Sequence, residues 1–317
     1  MGADDELYGR ADPQYLDAVY TDQALMTQTK PVQGQADSFV WSSSSSMPSV
    51  MADMIEELQI SPGMAVLESG TGTGYNAAIL CHLLGDSAVT TTEIDPELRL
   101  TALERLAELG YHPSTAPQPR SYDRILSTHA VAKIPYEWIT WSKPGAILLT
   151  DLRPPANSQV GAWVKLTIDE DGRGATGRLM PPRGYFMSAR KVPEYAEIGH
   201  TLPELTLDEH QRRAELIETR AVRAQPEILN DQAFGLYCWR SNPNVWSWFH
   251  DGEITLSTAD GSWAQVRGQT VSLIGERDLW AEVEHTYQDW QAAGWPPITD
   301  WTVRVTPDGS TVVVLPG

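Results

Sequence analysis

Apolar and polar positions along the chain fall into two regimes, an alternating strand–helix half and a half of short strands. Met51, Met54, Ile55 and Leu58 repeat at i, i+3, i+4, i+7, the stripe of an amphipathic helix. Ser61-Pro62-Gly63 breaks it, and Ala65-Val66-Leu67 predicts a short apolar strand running into glycines. Tyr75–Leu84 reads as an apolar helix and Ala88–Thr92 as a second strand. Asp95-Pro96 opens another helix, with Asp as N-cap, Pro in the first turn and Glu97 near the positive end of the dipole; it closes near Gly110. Ile125-Leu126-Ser127 predicts a third strand, Tyr136–Trp141 a short helix and, past the Pro144-Gly145 turn, Ala146–Thr150 a fourth strand. Such alternation implies a parallel sheet with crossover helices.

Beyond about residue 155 the pattern changes. Trp163–Ile168 alternates like a strand, and Asp169-Glu170-Asp171-Gly172 is a turn. Leu207–Ala224 is expected to be helical, as is Leu279–Ala293. Short pieces at Phe234–Trp239, Glu253–Ser257, Trp263–Val266, Thr302–Val305 and Thr311–Leu315, separated by DG and PDG turns, predict a mixed, largely antiparallel second unit. The chain is thus divided into residues 1–50, an N-terminal segment; 51–155, the α/β core; and 156–317, a mixed α+β region. In the first of these, Ser42-Ser43-Ser44-Ser45-Ser46 reads equally as a flexible linker or as a run that caps the next helix and faces a ligand.

Composition narrows the function. Apolar residues make up 41% of 317 and there are 12 tryptophans, enough for a real core. A formal net charge of -19 disfavours nucleic acid and anionic membrane surfaces as partners. The two cysteines, Cys81 and Cys238, form neither a metal-ligand pair nor a disulfide framework, so no metal is expected, and Cys81 reads as a small buried residue. The acidic N-terminus lacks a signal-peptide core and no run is long enough to span a bilayer, so the expectation is a cytoplasmic protein.

The chemistry centres on Val66-Leu67-Glu68-Ser69-Gly70-Thr71-Gly72-Thr73-Gly74. A strand meeting a helix through closely spaced glycines lets backbone N–H groups approach a ligand. Glu93 ends the next strand, where a carboxylate can accept from both hydroxyls of a ribose. There is no Walker lysine and the glycine spacing is not GxGxxG, which favours a nucleoside without a pyrophosphate.

Leu67-Glu68-x-Gly70-Thr71-Gly72-Thr73-Gly74-Tyr75-Asn76 resembles motif I of the protein L-isoaspartate O-methyltransferase family. Tyr122-Asp123-Arg124-Ile125 followed by residues 128–135 resembles that family's later strand and substrate loop. Lys143-Pro144-Gly145 resembles its next turn, and Ser46-Met47-Pro48 stands where the family carries Ser-Gln-Pro beside the reacting carboxylate. The resemblance covers roughly residues 40–152. It implies a Rossmann-like class I methyltransferase core, S-adenosyl-L-methionine as cofactor, and methyl transfer to a carboxylate oxygen. It places Glu68, Gly70, Thr71, Gly72 and Glu93 on the cofactor, Ser46 with Ser45 at the acceptor carboxylate, and Thr128, His129 and Val131 along the acceptor site. His129 also reads as an ordinary strand-end residue, and Asp123 as a loop terminator.

The run from Val19-Tyr20 through the serines, motif I with Tyr75-Asn76, and the later Asp260-Gly261-Ser262-Trp263 and Leu279-Trp280 resemble a narrower group of methyltransferases encoded beside ATP-grasp peptide maturases. That likeness implies a precursor peptide as partner, ester-crosslinked by the ATP-grasp ligase, and methylation of an aspartate whose ester closes to an aspartimide. The alternatives are isoaspartate repair, against which the large C-terminal half is set, and a non-catalytic peptide-binding scaffold. Residues 111–122 depart from the family: the stretch is short and proline-rich where a further strand and an acidic turn near adenine are expected. Either adenine is held differently or the site is degenerate. The tryptophans Trp239, Trp246, Trp248 and Trp263 read mostly as core, with some available to a peptide groove.

Overall fold

The computed structural model describes residues 9, 11–31, 39–153, 160–181, 183–188, 217–250 and 252–314. After a short helix α1 (Tyr15–Val19), strands β1 (Leu25–Pro31) and β2 (Phe39–Ser45) form an antiparallel ribbon. The serine run is therefore neither linker nor cap: Ser42 to Ser45 are strand, and the N-cap of α2 (Pro48–Glu57) is Met47, with Pro48 at the helix start. There follow β3 (Val66–Ser69), α3 (Tyr75–Leu84), β4 (Val89–Thr92), α4 (Pro96–Glu108), β5 (Tyr122–Val131), α5 (Tyr136–Trp141) and β6 (Ser142–Leu152). Asp95 caps α4 as expected, its side chain accepting from the amides of Glu97 and Leu98.

The boundary near residue 155 is not a sheet boundary. Strands β7 (Ala162–Ile168) and β8 (Ala175–Met180) continue antiparallel from β6, and β14 (Thr302–Val305) and β15 (Thr311–Val314) add to their far side. Among the described residues the order is β15-β14-β8-β7-β6-β5-β3-β4, parallel only from β6 to β4. A second antiparallel sheet runs β10 (Trp246–His250), β11 (Glu253–Ser257), β12 (Trp263–Arg267), β13 (Thr270–Ile274), β9 (Glu218–Ala221). The fold is α/β with a Rossmann-like core and an additional C-terminal region.

Three sequence expectations are corrected here. Phe234–Trp239, grouped with the short strands, lies in helix α6 (Gln232–Ser241), because Asp231 caps it and its apolar side chains pack against α7 (Leu279–Ala292). Of the helix expected over Leu207–Ala224, residues 207–216 lie outside the described residues, and Glu218–Ala221 is strand β9, paired with β13. Residues 122–131 form one long strand, so Thr128–Val131 are strand rather than loop.

Period-two alternation splits the large sheet's side chains between two cores. Val66, Leu126, Leu149 and Trp163 face α2 and α3 through Met51, Met54, Leu80 and Cys81. Their neighbours Leu67, Ile125, Leu148 and Val164 join a core that runs on into the C-terminal half through Phe234, Trp239, Trp280, Trp290 and Trp301. Both halves of the chain thus share one apolar interior. No helix among the described residues is long and apolar enough to cross a membrane.

Between Gly110 and Tyr122 the further strand is reduced to a single bridge. Ser114 pairs in parallel with Thr90, its carbonyl accepting from the Thr91 amide at 2.9 Å. Prolines at 113, 117 and 119 lack the N–H groups that a longer ladder needs.

Candidate active site

A cavity of about 560 Å³ opens at the C-terminal ends of β3, β4 and β5, where parallel α/β sheets bind ligands. Its walls come from the Ser69–Thr73 turn, the Thr92–Asp95 segment, the serines of β2, and Thr128 and His129 of β5. Trp138 and Trp141 of α5 and residues 184–188 complete it.

The turn after β3 is backbone-determined. Gly70 has φ +101, and a Cβ there would stand 2.5 Å from Thr128 Oγ1, so no other residue fits. The Thr128 hydroxyl donates to Gly70 O at 2.6 Å. Glu93, leaving β4, is fixed by backbone donors: Gly72 N–H at 2.9 Å to one oxygen, Ile94 N–H at 2.9 Å and Asp95 N–H at 3.1 Å to the other. A carboxylate held on both oxygens keeps lone pairs for further donors.

Glu68 does not line the cavity. It is fully buried behind the turn, accepting from Asn76 Nδ2 at 2.7 Å and Thr91 Oγ1 at 2.6 Å. Because the Thr91 proton is committed to Glu68, the Thr71 hydroxyl donates to Thr91 Oγ1 at 2.7 Å, which ties the turn to the buried carboxyl. Burial raises the Glu68 pKa to about 7, against the two hydrogen bonds. Alternation along β3 turns position 68 away from the ligand side. Val131 is likewise corrected: it is buried in the core and absent from the cavity wall.

The remaining assigned residues do meet. Ser45 and Ser46 line the cavity half-buried, as do Ser42 and Ser44, but Ser42 spends its hydroxyl proton on Gln28 Oε1 at 2.8 Å within the ribbon. His129 is held as a neutral ring, since burial lowers its pKa. Its Nδ1 faces the Ala130 carbonyl at 3.3 Å, an acceptor only, so Nδ1 carries the proton and Nε2 accepts from Ser69 Oγ at 2.9 Å. Asp123 is structural: burial opposes its ionisation, but Lys143 Nζ and the Ala65 amide, both at 2.8 Å, hold its pKa below the usual range. Sequence reasoning missed Trp138, Trp141, Tyr185 and Phe186. The two tryptophans share a helix face at i, i+3, a legible signal; residues 184–188 carry none.

A family model described as protein-L-isoaspartate(D-aspartate) O-methyltransferase matches residues 10–172, just over half of the chain.

The chain belongs to that family.

Protein-L-isoaspartate O-methyltransferase 2 of Rhodopseudomonas palustris is 33% identical over 169 residues, 50% of this chain and 72% of its own length. The Ignicoccus hospitalis protein-L-isoaspartate O-methyltransferase is 35% identical over 125 residues, 36% of this chain and 59% of that relative. A solved protein-L-isoaspartate O-methyltransferase superposes with a TM-score of 0.52 at 18% identity, over 98% of this chain and 89% of its own. That superposition includes the tryptophan-rich C-terminal half. The likeness is one of fold.

Within the family's frame, the narrower motif Asp260-Gly261-Ser262-Trp263 forms the β11–β12 turn. Asp260 Oδ1 accepts there from the Ser262 amide at 2.9 Å, and none of the four residues lines the cavity. Leu279 and Trp280 are buried at the start of α7. Trp239 is core and Trp246 is exposed, while Trp263 is half-buried; the side chain of Trp248 lies outside the described residues.

Proposed function

We propose that this chain is an S-adenosylmethionine-dependent O-methyltransferase acting on an aspartyl-derived carboxylate of a peptide. The observation that carries the reading is the pairing of the open Gly70–Thr73 turn with the Glu93 carboxylate in one cavity that the β2 serines also line. The cavity suits the cofactor: it is of ligand size, Glu93 retains acceptor capacity for a ribose, and no Lys or Arg among the lining residues opposes a sulfonium. Gly70, Thr71, Gly72 and Glu93 would hold it. When bound, it supplies an electrophilic methyl group.

The protein's own part is orientation and exclusion of water. An acceptor carboxylate, with a reference pKa of about 3.9, is already ionised at neutral pH and needs no general base. That agrees with His129 being hydrogen-bonded and neutral. Ser45 and Ser46 offer uncharged donors to the carboxylate, which fix it without quenching its nucleophilicity as a cation would.

In the finer form of this reading the acceptor is an aspartate of a ribosomally made peptide, crosslinked by an ATP-grasp ligase and met in the cytoplasm. Once esterified, that aspartate is attacked by the backbone nitrogen of the next residue. The new C–N bond displaces methanol and leaves an aspartimide. Isoaspartate repair is the second reading, favoured by the names of the curated relatives and by the superposed structure. Incubation with S-adenosylmethionine and paired aspartyl and isoaspartyl peptides, followed by mass spectrometry, separates them. Methylation of isoaspartyl peptides alone supports repair. Methanol loss from a methylated aspartyl precursor supports the finer reading, and no methyl gain on either overturns both.

A further inference from the structure

The wall of the cavity contains an exposed tyrosine standing on a buried ion pair. Tyr185 is 64% exposed. Beneath it the Arg153 guanidinium carbon lies 4.9 Å from the ring centroid. Arg153 is itself buried, with Nη2 2.7 Å from Asp151 Oδ2. The same oxygen accepts from the Phe186 amide at 3.1 Å. The residues on either side of Tyr185 are stapled to the sheet: Trp163 Nε1 donates to Gly184 O at 3.1 Å, and Met187 O accepts from Ala130 N at 2.9 Å, next to His129. Gly161 leaves the room this needs, since a Cβ there would come within 2.9 Å of the guanidinium and of Asp151 Oδ1.

An exposed aromatic ring is ordinarily mobile and unrewarded. Here buried charge and two backbone anchors fix one, with one face on Arg153 and the rest open beside the acceptor end of the cavity. We propose that Tyr185 is a specificity platform: it docks the residue flanking the acceptor carboxyl and selects a planar or apolar side chain there. The Arg153 cation already occupies the electron-rich face of the ring and repels a second cation, so a lysine flank is disfavoured. Stacking on a pre-fixed ring is worth about three- to tenfold in affinity.

The proposal rests on the methyltransferase reading, and its test separates the two. Wild type, Tyr185→Ala, Tyr185→Phe and Arg153→Lys are titrated calorimetrically, saturated with S-adenosylhomocysteine. The ligands are aspartyl and isoaspartyl peptides differing only in the flanking residue (Phe, Pro, Ser or Lys). Methyl transfer is assayed in parallel for kcat and KM. Wild type is expected to bind Phe and Pro flanks about three- to tenfold more tightly than Ser or Lys flanks. Tyr185→Ala abolishes the difference and Tyr185→Phe keeps it. Arg153→Lys, which retains a charge for Asp151 but not the planar contact, weakens it. The effect falls on KM rather than kcat, and affinity for S-adenosylhomocysteine stays unchanged. A flank preference that survives Tyr185→Ala, or is missing in wild type, overturns the platform. A preference seen in binding without any methyl transfer upholds the platform and sinks the reaction instead.

Discussion

Lys30 of β1 and Asp95, the N-cap of α4, form an ion pair at 3.1 Å that ties the serine-bearing ribbon to the parallel core. Gln28 of the same strand also donates to Asp95 Oδ2, at 3.4 Å. Burial opposes ionisation of Asp95, but the Leu98 amide and Lys30 hold its pKa below the usual range. One carboxylate therefore serves both as helix cap and as the ribbon's anchor. Lys30→Ala is expected to cost about 1 kcal/mol in urea unfolding. Asp95→Ala, which also removes the cap, should cost about 2 kcal/mol. Equal losses would show that the ion pair alone matters, and no loss in Lys30→Ala that the cap alone does.

Glu93→Ala should weaken S-adenosylmethionine binding by about tenfold or more, because a charged hydrogen-bond acceptor for the ribose hydroxyls is lost. Ser46→Ala should leave that affinity intact and slow methyl transfer. Calorimetry and initial rates on the two variants give the comparison; wild-type behaviour in both would remove these residues from the site.

Gly70→Ala should abolish cofactor binding and destabilise the fold by about 2 kcal/mol or more. The left-handed φ and the contact with Thr128 Oγ1 leave no room for a methyl group. Thr128→Ser keeps the hydrogen bond to Gly70 O and should restore nothing, since its Oγ occupies the same position. A Gly70→Ala protein with normal affinity would contradict the turn geometry.

Glu68 predicts a pH dependence of stability. Its carboxyl holds a proton to about pH 7 when folded, whereas the ordinary value is 4.5. Between these limits the folded state binds more protons than the unfolded chain. Its contribution is therefore fully present below about pH 4.5 and declines through about pH 7. The loss amounts to about 3 kcal/mol. Glu68→Gln should flatten that slope in denaturant titrations across this range. An unchanged slope would assign it to other groups.

Sequence alone determined the order of elements in the core, the glycine turn and the acidic residue after the second strand, and the family through its resemblance to known motifs. The first three are local: they follow from apolar periodicity, capping chemistry and the backbone freedom of glycine, each legible within a few residues. Only the tertiary structure decided which side chains face the cavity. Glu68 and Val131 sit in matching motifs yet point into protein, because a strand turns successive residues to opposite faces and the packing layers choose between them. The serine run acquired its role only by pairing with β1. Tyr185 and Phe186 reached the site through long-range bonds to Asp151, Ala130 and Trp163. The C-terminal half joined the core's own sheet because the far edge of β6 needed backbone partners, a demand that no local pattern records.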